Sequence, residues 1–76
     1  MDLKSLRAAH RLSLAEMAGK LGLTSKGYLS DLERSDTVPR GIALKVYDVF
    51  NGVRVGPLES LTKPEIELLL KLEKAA

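Results

Sequence analysis

The sequence predicts an all-α fold, a compact domain of five helices. Apolar residues recur at three- and four-residue spacing in each longer segment, capping residues stand where those segments begin, and no stretch alternates for long enough to make a convincing strand. Seventy-six residues make one domain. So short a chain buries only about 60% of its unfolded surface, so each Leu, Ile and Val placed inside counts, and pairing into a dimer adds stability.

Taken in order, Asp2 can cap a first helix running to about Arg11 and burying Leu3, Leu6 and either His10 or Ala9. Ser13, with Glu16 three residues on, forms a capping box. Leu14, Met17, Ala18 and Leu21 then make the apolar stripe of a second helix, Leu14 to Leu21. Leu21-Gly22-Leu23-Thr24 reads as a tight turn. Thr24 or Ser25 caps a third helix, about Ser25 to Arg34, whose buried positions are Leu29 and Leu32. Ser35 to Pro39 is rich in turn formers and reads as a loop. The fourth helix extends from about Arg40 to Phe50, with Ile42, Ala43, Val46, Val49 and Phe50 apolar. Asn51-Gly52 stops it, since both residues tolerate the left-handed conformation. Val53-Arg54-Val55 alternates, which permits a short edge strand that Gly56-Pro57 cuts off. Thr62, Pro64 and Glu65 open the last helix with a T-x-x-E box and a proline in the first turn. Its residues Ile66, Leu68, Leu69, Leu70 and Leu72 cover a wider face than a lone surface helix requires.

Two capped helices joined by a glycine-containing turn make a helix-turn-helix, the motif whose second helix lies in the DNA major groove. Twelve Lys and Arg against ten Asp and Glu give a net charge of +2, compatible with DNA without deciding it. The distribution is more informative. Lys4, Arg7 and Arg11 face only Asp2 in the first segment, the segment from Leu58 is slightly acidic, and Lys26, Arg34 and Arg40 cluster around the third helix.

Composition narrows the chemistry. There is no cysteine, hence no disulfide or thiolate chemistry, which fits the expected cytoplasmic location. No Ser/His/Asp or paired-carboxylate constellation and no glycine-rich phosphate loop stand out, and the lone His10 has no metal-ligating neighbours. The expectation is a protein that is not an enzyme and holds no cofactor or metal. No apolar run approaches the roughly 20 residues of a membrane span, and the charged N-terminus MDLKSLRAAHRL lacks the apolar centre of a signal peptide.

Leu3 and Arg7, Leu12 to Ala18, Leu21-Gly22-Leu23-Thr24, Tyr28 to Arg34 and Pro39 together resemble the phage repressor and Cro family, also called the xenobiotic-response-element family of helix-turn-helix regulators. The resemblance covers Leu3 to Phe50. It implies a lambda-repressor-like DNA-binding fold, a bacterial or phage origin, and transcriptional regulation, more often as a repressor. Three features depart from the family pattern: a turn into the third helix one residue longer than usual, Ser35-Asp36 where a glycine is usual, and the segment beyond Gly56.

On this basis residues 1–56 are expected to form the helix-turn-helix DNA-binding unit and residues 57–76 a Leu-rich dimerisation element. The expected DNA contacts are Ser25, Lys26, Gly27, Tyr28 and Asp31 in the reading helix, with Arg34, Arg40 and Lys45 on phosphates. Tyr28 alternatively fills the gap between helices three and four, and Asp31 alternatively pairs with Lys26. The resemblance implies that Arg7 and Glu33 form an internal ion pair. Ile66, Leu69 and Leu70 are the candidate dimer contacts, with packing on the protomer's own core as the competing role. The expected partners are double-stranded DNA and a second copy of the chain. A protein-interaction module of the antitoxin or polymerase-docking kind, using the Leu-rich tail, is the alternative.

Overall fold

The computed structural model describes residues 2–75, the side chain of Lys74 apart. Met1 and Ala76, which the expected unit boundaries include, lie outside the described residues. The chain forms α1 (Leu3–Ala9), α2 (Leu14–Lys20), α3 (Lys26–Ser35), α4 (Arg40–Val49) and α5 (Lys63–Ala75), with a short 3₁₀ helix at Gly56–Ser60 before the last. There is no strand among the described residues, so Val53 to Val55 form no edge strand. A radius of gyration of 11.9 Å is close to the ~11.4 Å expected of a compact chain of this length. No helix among the described residues is long and apolar enough to cross a membrane.

Capping side chains mark where four of the five α-helices start; α4 follows Pro39 with no side-chain cap. Asp2 Oδ1 accepts from the Ser5 N–H at 2.7 Å and caps α1. Ser13 and Glu16 complete a reciprocal box: Ser13 Oγ accepts from the Glu16 N–H at 3.1 Å, and Glu16 Oε1 accepts from the Ser13 N–H at 2.9 Å. Ser25, rather than Thr24, caps α3 by accepting from the Gly27 N–H at 3.1 Å. At the head of α5 the Thr62 N–H and hydroxyl both donate to Glu65 Oε1, at 2.9 and 2.8 Å.

These hydrogen bonds favour the ionised carboxylates. The backbone donors of Ser5, Ser13 and Thr62, followed by the side chains of the same residues, hold Asp2, Glu16 and Glu65 below their ordinary carboxyl range. Because the folded values are depressed, the stability they contribute is present above the unfolded carboxyl pKa of about 4.3 and is lost as pH falls through the folded values. A Glu16→Gln/Glu65→Gln protein should therefore lose stability less steeply than the parent between about pH 5 and pH 3. Parallel chemical-denaturation curves across that range would refute the assignment.

The first four helices all stop in one way. Arg11, Gly22, Asp36 and Asn51 take positive φ, at 54°, 71°, 54° and 58°. Each following N–H reaches back five residues: Leu12 to the Arg7 carbonyl, Leu23 to Ala18, Thr37 to Leu32 and Gly52 to Tyr47. This is the left-handed helix stop, which satisfies carbonyls that would otherwise lack a donor. Only Gly22 adopts it with no Cβ to accommodate. Arg11 explains why α1 ends at Ala9 instead of running to Arg11: the chain turns left-handed there. Ala9 and His10 stay on the exposed side, and neither is buried. The His10 ring instead meets Phe50 edge-on, centroids 5.0 Å apart at 63°, joining the ends of α1 and α4.

Asp36 offers a direct test. An L-residue in the left-handed region costs more than glycine, and a carboxylate at a helix C-terminus faces the negative end of the dipole. Glycine gives back part of that gain through the entropy of the unfolded chain. Asp36→Gly should stabilise the protein by about 0.5–1 kcal/mol, a rise in melting temperature of roughly 2–8 °C. An unchanged or lower melting temperature would contradict this.

The core gathers one stripe from every element: Leu3 and Leu6 from α1, Met17 and Ala18 from α2 with Leu21 just after it, Leu29 and Leu32 from α3, and Ala43, Leu44 and Val46 from α4 with Phe50 capping it. Val55, Leu58 and Ile66 complete it. The last three lie beyond Phe50 and are fully buried, so the 3₁₀ helix and the start of α5 are part of the same core. α2 packs on α3, α1 on α3, and α4 on both the 3₁₀ helix and α5.

Candidate nucleic-acid interface

At 100° per residue, Leu29, Leu32 and Glu33 share the inner side of α3. The first two are buried and the third half-buried. The opposite side carries Gly27, Asp31 and Arg34, all exposed, with the half-buried Ser30 beside them and Lys26 and Tyr28 at the margins. The helix therefore turns one polar face outward, with its N-terminus free of bulky apolar groups other than Tyr28.

A bidentate ion pair anchors the inner side. Arg7 Nε donates to Glu33 Oε2 at 2.8 Å and Arg7 Nη2 to Oε1 at 3.1 Å. Arg7 Nη1 also donates to the Leu12 carbonyl at 3.1 Å, tying the α1–α2 link to the same cluster. The Glu33 side chain is only 8% exposed. The hydrogen bond to Glu33, outweighing burial, raises the Arg7 pKa, so the guanidinium stays charged. Two helices and the link from α1 to α2 are thus joined at one guanidinium, which helps to set the orientation of α3.

The polar residues of α3 take specific places. Gly27 lies within the first turn, where a Cβ would stand 3.3 Å from Ser25 Oγ, the oxygen that caps the helix. Tyr28 is 45% exposed and does not fill the space between α3 and α4. Asp31 pairs with Arg34 at 3.5 Å, three residues on, and not with Lys26. Both partners are largely exposed, so the pair is weak and leaves either side chain able to reach a ligand.

Arg40 and Lys45 lie elsewhere. Arg40 lines a groove with Leu69, Leu72 and Glu73, and Lys45 lines a neighbouring one with Asp48, Leu70 and Glu73. Among the expected DNA contacts, Ser25 to Arg34 are therefore brought together on α3, while Arg40 and Lys45 belong to the junction of α4 and α5.

The Leu-rich helix is divided by its two sides. Ile66 is fully buried, and Leu69 and Leu70 are half-buried against the core. Leu68 and Leu72, each 60% exposed, carry the outward apolar surface. Ile66 thus takes the competing role, packing on the protomer's own core, which Leu69 and Leu70 share in part.

Family models, curated proteins and solved structures yield no match to this chain. Among the described residues no cluster of three or more His, Cys, Asp or Glu is placed to hold a metal ion.

Proposed function

We propose that this protein binds double-stranded DNA as a sequence-specific transcriptional regulator of the lambda-repressor-like helix-turn-helix type, with α3 as its reading helix. The observation that carries the reading is the outward polar face of α3, held by the Arg7–Glu33 pair with its N-terminus uncovered. A helix presented in this way fits the major groove, where Lys26 can donate to guanine O6 and N7 and Asp31 can accept from cytosine N4. The free N–H groups at the Ser25 cap favour a phosphate, and Arg34 supplies a backbone contact. Arg40 and Lys45 are candidates for outer phosphates only if the duplex extends toward α5.

One reading helix spans too few base pairs for specificity in a genome, so the functional unit is a two-fold dimer on inverted half-sites. Leu68 and Leu72 supply most of its apolar contact, with the half-buried Leu69 and Leu70 beside them and Ile66 spent on the core. The same two leucines favour the second reading, docking of a partner protein on the tail.

Selection from random duplexes at near-physiological salt separates the two. An inverted repeat with half-site centres about 34–36 Å apart is the expected product. Lys26→Ala should then weaken binding by about 1–3 kcal/mol per half-site and relax preference at one base pair of each. No enrichment, with Leu68→Glu/Leu72→Glu nevertheless abolishing a tail-mediated complex, would replace DNA recognition by the docking reading.

A further inference from the structure

The mouth of a groove of about 290 Å³ opens between α1 and α3, beside the Arg7–Glu33 pair, and is lined by Lys4, Arg7, Leu14, Ser30, Glu33 and Arg34. Three cationic side chains line it against one carboxylate. Glu33 spends both carboxylate oxygens on Arg7, and Asp31 meets Arg34 only weakly, at 3.5 Å between exposed side chains, so Lys4 and Arg34 set the sign of what remains. By contrast, Lys45 shares its groove with two carboxylates, Asp48 and Glu73, and the groove beside Gly56 is lined by Asp2, Asp36 and Glu59.

Geometry adds a second argument. Lys26, Ser30 and Arg34 follow one another at four-residue spacing, so they form a single row along α3. Lys26 and Arg34 stand about 12 Å apart along the axis, roughly the width of the major groove. A helix that enters by its N-terminus brings Lys26 to base edges and leaves Arg34, with α1 alongside, at the flanking backbone strand.

We infer that the Lys4–Ser30–Arg34 groove holds a backbone phosphate of bound DNA, so that α1 grips the duplex together with α3. This rests on the DNA-binding reading above. In the groove Lys4 supplies a point charge, Arg34 a forked donor and Ser30 a hydroxyl. Arg7 acts as the positioning residue, holding the two helices at the separation the phosphate needs.

The test is the salt dependence of binding, measured for the full chain on its selected duplex and on an unrelated one. Lys4 is exposed, so Lys4→Ala should melt like the parent. Losing one phosphate contact per protomer should weaken binding about five- to tenfold for each protomer on both duplexes and reduce the slope of log K against log salt by about 1 per protomer, about 2 for a dimer on the inverted repeat, leaving the selected sequence unchanged. Lys4→Glu should weaken both further, whereas Lys63→Ala, at the start of α5, should change neither. An unaltered slope in Lys4→Ala, with Lys26→Ala still impaired, would overturn the proposal and leave the DNA reading standing. A shifted base preference would overturn it too, since a phosphate contact is sequence-blind. If the parent chain shows no salt-sensitive DNA binding at all, the DNA reading falls and this inference with it.

Discussion

Replacing Gly56 with alanine should cost about 2–4 kcal/mol, a large share of the stability of so small a domain. Two penalties combine. The residue has φ +54°, where an L side chain is strained by roughly 1–2 kcal/mol. The new Cβ would also stand 2.7 Å from Val38 Cβ and 3.3 Å from the Val38 carbonyl oxygen, inside contact distance of a partly buried side chain and of fixed backbone. Relieving that overlap means displacing the loop between α3 and α4 or lifting the 3₁₀ helix, which unseats Val55 or Leu58, and such overpacking typically costs about 1–3 kcal/mol. Gly22→Ala is the control, because its φ is +71° and its Cβ would meet nothing within 4 Å. It should lose only about 0.5–1.5 kcal/mol after the unfolded-state gain of alanine. Thermal unfolding distinguishes the two: the Gly56 variant should melt roughly 10–25 °C below the parent, and equal losses at both positions would remove the Val38 contact from the account.

Arg7→Ala should cost about 2–4 kcal/mol. Its removal leaves Glu33, 8% exposed, as a carboxylate without its bidentate partner, with Lys4 and Arg34 only lining the same groove, and strips the Leu12 carbonyl of a donor. Removing one partner of a buried pair is expensive because the other charge stays behind; the partial exposure of Arg7, 23%, discounts the full penalty. Arg7→Lys should recover less than half, since one ammonium cannot serve both carboxylate oxygens and the carbonyl in the planar fork that Nε, Nη1 and Nη2 provide. An Arg7→Met/Glu33→Leu protein should be more stable than Arg7→Ala, as no charge is left unpaired. Denaturant midpoints at constant m-value measure all three. If Arg7→Lys matches the parent, the bidentate geometry carries no energy.

What was legible in the sequence is what depends on neighbours within a few residues. The boxes at Ser13–Glu16 and Thr62–Glu65 and the apolar stripes of α2 and α3 could be read directly, because spacing alone determines them. The stop at Arg11 could not. Arginine carries no left-handed signature, and its conformation follows from the return of the Leu12 N–H to Arg7 and from the packing of Leu12. The 3₁₀ helix escaped for a related reason: Gly56-Pro57 looks like a terminator, and only the approach to Val38 shows why the glycine is needed. In the candidate interface, the facing of α3 was readable from Leu29 and Leu32. The partner of Asp31, the exposure of Tyr28, and the grouping of Arg40 and Lys45 with α5 depend on how helices meet, which no local pattern encodes. The two sides of α5 were blurred because Leu68 to Leu70 run consecutively, and periodicity cannot choose among adjacent leucines.

The shared left-handed stop bears on how fast this chain finds its fold. Each of the first four helices has its length set by residues within about one turn of its end. The stop signals are local even where packing completes them, as Leu12 does for Arg11, and folding reduces to bringing a few short segments together. Topologies of that kind, with little distant pairing to close, assemble in microseconds to milliseconds. The His10–Phe50 ring contact reaches further along the chain than the 26 residues between Arg7 and Glu33, so the meeting of α1 with the end of α4 is the most distant of the side-chain pairings described above.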